Sequence, residues 1–218
     1  MTYNEVRADE NIRVYIAESD RTLAELGFTE HSFAHVTAVA EKAGYILETM
    51  GYPVRTVELA RIAGYMHDIG NCVNRTDHAH NGAIMAMTIL RDMGMKPDEI
   101  ATVIAAIGNH DEKTGTAVDA VSAALILADK TDVRRNRVRG RDQTKFDIHD
   151  RVNFAAISSE LHMDQEKRQI TLDIQLDDGI CSVLDYFEIF LERMLMCRRA
   201  AEMLGCSFKL KANGSKVL

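Results

Sequence analysis

The sequence predicts a mainly α-helical protein, a helical bundle over residues 1–145 followed by a small α+β appendage over residues 146–218. Three observations carry this. Only two prolines, Pro53 and Pro97, interrupt 218 residues, so long helices are permitted. Apolar residues recur at helical spacing down to about residue 135. Beyond Arg141 the pattern changes: Ile170, Leu172, Ile174 and Leu176 alternate with Thr171, Asp173, Gln175 and Asp177, as in a half-buried strand.

The elements follow in order. A first helix spans about 9–26, with Ile12, Tyr15, Ile16, Leu23 and Leu26 on its apolar stripe. Thr29 is the expected N-cap of a second, which stops at Gly51 before Pro53. Thr56 begins a third that ends at His67, and a polar stretch, Asn71–Asp77, follows. A fourth runs from about His80 to Met93 and stops at Gly94. Pro97 occupies the first turn of a fifth, where Asp98 and Glu99 complement the helix dipole. It ends near Gly108, and a sixth covers about 118–133. In the appendage, Phe154–Met163 is the expected hairpin partner of the 170–176 strand. Ser182 and Asp185 open a helix that ends at Gly205. Phe208, Leu210 and Ala212 alternate with Lys209 and Lys211 as a third strand.

Composition narrows the function. Apolar residues at 46% and charged residues at 27% describe a folded chain. With 33 acidic residues against 26 basic, the net charge of −7 argues against nucleic acid as a partner. No apolar run reaches the roughly 20 residues of a membrane helix, and the N-terminus lacks the apolar core of a signal peptide. The four cysteines form no CxxC pair. The expectation is a soluble cytoplasmic protein with no membrane partner.

Six of the eight histidines fall between residues 31 and 110. His67-Asp68 sits where a helix gives way to a loop. His35 lies in HVTAVA, His78 opens HAHNGA, His110 ends a helix in GNHDEK, and Asp129 follows the apolar run Leu125–Ala128. Imidazole and carboxylate together suit divalent Mn, Fe or Zn. A carboxylate projecting from a buried helix face needs a cation beside it. Taken singly, each of these residues is equally at home in a helix-terminal hydrogen bond or on a solvated face.

Taken together, His35, the His67-Asp68 doublet and Asp129 on separate helices resemble the HD superfamily of metal-dependent phosphohydrolases, over about residues 25–140. The resemblance implies an HD-domain helical bundle in which these four coordinate metal, Asp68 bridging where there are two ions. His78, four residues before Gly82, and His110 resemble the two further histidines of members that hold two metals. The implied cofactor is therefore divalent cations, two in number, with Mn, Fe, Mg, Zn, Ni and Co undistinguished. The implied activity is hydrolysis of a phosphoester or phosphoanhydride of a small, anionic, nucleotide-like substrate. Asp68 becomes a candidate for orienting the attacking water, and Lys130 for binding a phosphate or pairing with a ligand. The phrases HAHNGA, GNHDEKTG and LADKTDVRR look like the bacterial HD-type dinucleoside tetraphosphate hydrolases, from whose compact helical pattern the appendage departs. Gly51-Tyr52-Pro53 precedes the doublet, unlike the tripeptide of the HD-GYP phosphodiesterases. A silent metal- or nucleotide-binding regulatory module and a di-iron oxygenase are the alternative functions.

Other residues carry secondary expectations. His31, on the same helix face as His35, is either a further ligand or a supporting residue, and His78 is preferred to His80 as the inward-facing ring. His149 and His162 are read as structural or exposed. Arg134, Arg135, Arg137, Arg139 and Arg141 crowd eight residues. They are either a solvated linker or a phosphate clamp, in which Arg134 and Arg135, with His78, contact the substrate. The helix containing Val183–Cys197 is apolar nearly all the way round. Its second face is expected to bury against a second copy in a homodimer, or against the body of its own chain.

Overall fold

Capping residues set the helix boundaries in this computed structural model, which describes residues 1–140, 144 and 146–217. Thr2 and Glu5 form a capping box on α1 (Tyr3–Ala8). The Asp9 carboxylate then caps α2 (Glu10–Glu25), so the expected first helix starts there and a separate short helix precedes it. Ser32, rather than Thr29, caps α3 (Phe33–Thr49); the Thr29 carbonyl instead accepts from the His31 ring. Next come α4 (Val54–Met66), α5 (His78–Asp92), α6 (Pro97–Gly108) and α7 (Ala120–Lys130), the last held by an Asp119–Ser122 capping box. Single 3₁₀ turns at Ile69–Cys72 and Arg135–Arg137 follow α4 and α7.

In the appendage the Asp147 carboxylate caps α8 (Ile148–Ala155), which takes Phe154 and Ala155 out of the expected strand. β1 (Ala156–Asp164) and β2 (Gln169–Leu176) form the antiparallel hairpin, with Leu161 opposite Leu172. The Ser182–Asp185 capping box opens α9 (Val183–Met203) as read from the sequence. α9 carries the chain across to β3 (Ser207–Ala212), which pairs parallel to β2, and a two-residue β4 (Ser215–Lys216) closes the sheet order β1-β2-β3-β4.

α7 is the centre of the molecule. Val121 to Ala128 are all buried, because α3, α4 and α6 pack on α7 from the bundle and α9 packs on it from the appendage. One face of α9 is covered within the chain, where Tyr186, Phe190, Met194, Met196, Cys197, Ala200 and Ala201 are buried in contacts with α7, α8 and β3, while Leu184 and Leu191 on the helix remain exposed. Ile170, Leu172 and Ile174 of β2 join the same continuous apolar core as Val39, Ile62 and Leu125 of the bundle. No helix among the described residues is long and apolar enough to cross a membrane.

Candidate metal centre

Helix ends bring the predicted residues together. His35 sits in the first turn of α3, His67 is the C-terminal cap of α4, and His78 is the first residue of α5. His110 directly follows the cap of α6, and Asp129 lies in the last turn of α7. Asp68 leaves the helical path at φ −100° and ψ 3°, so its carboxylate and the His67 ring reach one space. Two glycines allow α5 to approach the doublet: a Cβ on Gly70 would lie 2.1 Å from the His78 carbonyl oxygen and 2.4 Å from Gly82 N. The glycine after the doublet and the one in HAHNGA thus share a single backbone contact.

The ring nitrogens and carboxylates gather about the two oxygens of Asp68, and His67 belongs to both candidate ligand groups. On one side, His35 Nε2 is 3.4 Å from Asp129 Oδ1 and 3.7 Å from Asp68 Oδ2. His67 Nε2 is 3.3 Å from Asp68 Oδ2 and 3.7 Å from Asp129 Oδ1. On the other side, His78 Nε2 and His110 Nε2 stand 3.7 and 3.8 Å from Asp68 Oδ1, and 3.2 Å from each other. His31 Nε2 lies 4.0 Å from Asp68 Oδ2.

The opposite ring nitrogens fix the chemistry. Nδ1 of His67 donates to the Gly64 carbonyl at 2.8 Å, that of His78 to Arg75 at 3.1 Å, and that of His110 to Ile107 at 2.6 Å. His35 Nδ1 donates to Asp132 Oδ2 at 2.7 Å, and His31 Nδ1 to the Thr29 carbonyl at 2.7 Å. A carbonyl oxygen only accepts, so each of those rings carries its proton on Nδ1 and turns the Nε2 lone pair inward. Nε2 of His35 and of His67 are buried with no hydrogen-bond partner. Converging lone pairs and carboxylate oxygens fit a divalent cation and little else. His35, His67 and Asp129 offer ligand atoms within 4.8 Å of one another, as do His67, Asp68 and His110.

Electrostatics agree. Burial would raise the Asp68 carboxyl, yet the facing imidazoles hold it well below the usual carboxylate range. Burial would likewise raise Asp129, which Lys130 and the two rings hold low. His67 is raised by Asp68 and Asp129 in spite of its burial, so this side of the site draws positive charge. His78 is pushed down to about 4 by burial and by His110, leaving its ring neutral.

The supporting contacts revise several expectations. Lys130 is buried and gives its ammonium to Asp129 Oδ2 at 2.8 Å and to Glu112 Oε2 at 2.9 Å, pairing with a candidate ligand rather than facing a phosphate. Arg134 spans both oxygens of Asp132. Arg135 donates to the Phe154 carbonyl, stacks on that ring and faces Asp177. Of the linker and clamp readings for these two, the structure gives each guanidinium a partner within the chain. Arg137 and Arg139 are tied to the 28–32 loop that presents His31, and Arg141 lies outside the described residues. His80 points outward toward Asp77, leaving His78 as the inward ring. His149 lies beside Phe190, and His162 is exposed near Glu160.

Three supporting residues were not singled out from the sequence. Asp132 orients His35. Asn71 Nδ2 donates to Asp68 Oδ1 at 2.9 Å. Glu112 joins Lys130 to Arg193 of α9, whose Nε lies 3.3 Å away. Asp132 and Glu112 stand inside the quoted phrases LADKTDVRR and GNHDEKTG, and that proximity is the one signal available for them.

A model of the HD domain family matches residues 32–188, and the chain belongs to that family. The match takes in His35, His67, Asp68, His78, His110 and Asp129 and continues through the β1–β2 hairpin into α9. HD domains bind divalent metals, and the family is one of metal-dependent hydrolases. The chain is 24% identical over 202 residues to the uncharacterized protein MJ1020 of Methanocaldococcus jannaschii, covering 82% of this chain and 77% of that protein. A crystal structure of a predicted HD superfamily hydrolase from an uncultured Thermotogales bacterium is 27% identical, with a TM-score of 0.45 over 57% of this chain and 67% of the other.

Proposed function

We propose that this protein is a phosphohydrolase that uses two divalent cations to cleave a phosphoester or phosphoanhydride bond of a small nucleotide-like substrate with water. The observation that carries the reading is Asp68, whose Oδ2 lies near His35 and His67 and whose Oδ1 lies near His78 and His110, all four rings turning Nε2 inward. His35, His67, Asp129 and Asp68 Oδ2 would hold one ion, and His78, His110 and Asp68 Oδ1 the other. Divalent cations in such a site neutralise charge on a phosphoryl group and make water acidic enough to attack it.

The chain's own residues supply the rest. Lys130 fixes Asp129 through Oδ2 and leaves Oδ1 directed at His35 and His67. Asn71 fixes the Asp68 carboxylate, the candidate for orienting the attacking water. Two carboxylates against two dications leave the loaded centre net positive, which favours an anionic substrate. Nucleotide-like chemistry is supported by the likeness of HAHNGA, GNHDEKTG and LADKTDVRR to dinucleoside tetraphosphate hydrolases.

Elemental analysis of the wild type beside Asp68→Ala tests the reading, followed by a phosphate-release screen over mono-, di- and dinucleoside phosphates. The expected result is about two ions per chain, lost on substitution, with turnover of at least one ester or anhydride. A chain that takes up no metal on reconstitution, or a loaded chain that turns over nothing, would overturn it.

A further inference from the structure

Arg134 and Arg135 are paired with Asp132 and Asp177, and a further guanidinium lies closer in hydrogen bonds to Asp68. We infer that Arg75, laid across Phe28 at the rim of the metal centre, is the anchor for the non-reacting phosphate or phosphoryl oxygens of the substrate. This rests on the phosphohydrolase reading and adds its recognition residue.

Arg75 lies in the loop between the 3₁₀ turn and α5, three residues before His78, and its carbonyl is the acceptor that fixes the His78 ring. Its backbone is therefore tied to a candidate metal ligand. Its Nη1 donates to Asn71 Oδ1 at 3.2 Å, and Asn71 donates in turn to Asp68 Oδ1 at 2.9 Å. The guanidinium is thus two hydrogen bonds from the Asp68 carboxylate. Its Cζ lies 5.5 Å from the centre of the Phe28 ring, on the α2–α3 loop that also carries His31. Phe28 is 42% exposed and Arg75 only half-buried, so the stacked plane borders solvent and a ligand can reach it.

Arg75 differs from the other arginines discussed above in its lack of a countercharge. Arg134, Arg135, Arg137, Arg139 and Arg193 each face a carboxylate. Arg75 has no carboxylate at ion-pair distance among the described residues. A guanidinium offers five donors in a planar fork, and here one is committed to Asn71. The stack holds the plane, and the remaining donors suit the two-oxygen edge of a phosphate. A lysine could supply the charge but neither the stack nor the fork.

The test uses the metal-reconstituted full chain and inorganic phosphate, titrated calorimetrically, with metal content and ester turnover measured in parallel. Arg75→Gln keeps a donor for Asn71 and removes the charge, so a purely structural staple would survive it. We expect Arg75→Gln and Arg75→Ala to weaken phosphate binding roughly ten- to a hundredfold, the scale of a charge-assisted hydrogen bond, with metal content unchanged. Arg75→Lys should recover part of the loss. Phosphate affinity unchanged in Arg75→Gln, or metal lost together with phosphate in all three variants, would overturn the anchor. A wild type that binds phosphate through Arg75 but hydrolyses no ester would overturn the hydrolase reading and leave the anchor standing. Hydrolysis with a KM that Arg75→Gln does not change would do the reverse.

Discussion

What makes a histidine a candidate ligand here is the occupation of its other nitrogen. His67, His78 and His110 each donate Nδ1–H to the carbonyl three residues earlier, a local arrangement that their places at helix ends supply. His35 sits at the start of α3, where the carbonyl of Ser32 already accepts the amide of Val36, and its partner comes from Asp132, distant in sequence. The convergence of the local candidates was legible because their motif spacing encodes their geometry. Asp132 was not, since no spacing relates residue 132 to residue 35. The arginine run was open to two readings for a similar reason: sequence shows the charges but not the Asp132 and Asp177 carboxylates beside them. Asp132→Asn removes the charge behind His35 while keeping its shape. It should weaken the ion held by His35, His67 and Asp129 by roughly ten- to a hundredfold, measured by competition with a chromophoric chelator. An unchanged affinity would mean that the ring is oriented by packing alone.

Elements meet at this site by their ends, and the α6–α7 loop is the piece that joins bundle to appendage. Glu112 of that loop bridges Lys130 on α7 and Arg193 on α9. The helices that carry these groups were readable from periodicity and caps. The bridge was not, because it depends on α9 packing against α7. Burial would raise the Glu112 carboxyl, but Lys130 and Arg193 hold it far below its usual 4.5. A carboxyl depressed in the folded state binds fewer protons there than in the unfolded chain. Its contribution is therefore complete above about pH 4.5 and fades as pH falls toward its folded value. In chelator, to remove metal-linked effects, the wild type should lose melting temperature from about pH 4.5 downward, and Glu112→Gln should show a shallower loss from a lower neutral-pH starting point. Parallel curves for the two proteins would show that Glu112 does not titrate in the bridge.

At the scale of the whole molecule, the sequence divides the chain where its periodicity changes, while the apolar core runs without a break from α3 and α4 through α7 to α9 and β2. Periodicity reports which face of an element is apolar, not which neighbour covers it, so α9 read equally well as a subunit interface. The family match crosses the expected boundary and ends within α9. Magnitudes decide what this means for cooperativity. Burying Tyr186, Phe190, Met194 and Met196 contributes roughly 1.5–3 kcal/mol each, or together about 6–12 kcal/mol, against a net stability of about 5–15 kcal/mol for a typical domain. Losing α9 would also uncover the face of α7 it packs on, so the bundle is expected to depend on it. The full chain is therefore expected to melt in a single calorimetric transition whose van't Hoff and calorimetric enthalpies agree. A chain ending at residue 182, which lacks α9 and the parallel partner of β2, should bind a hydrophobic dye and show no cooperative melt. Two resolved transitions in the full chain, or a sharp melt of the shortened one, would show instead that the bundle stands alone and that α9 merely rests on it.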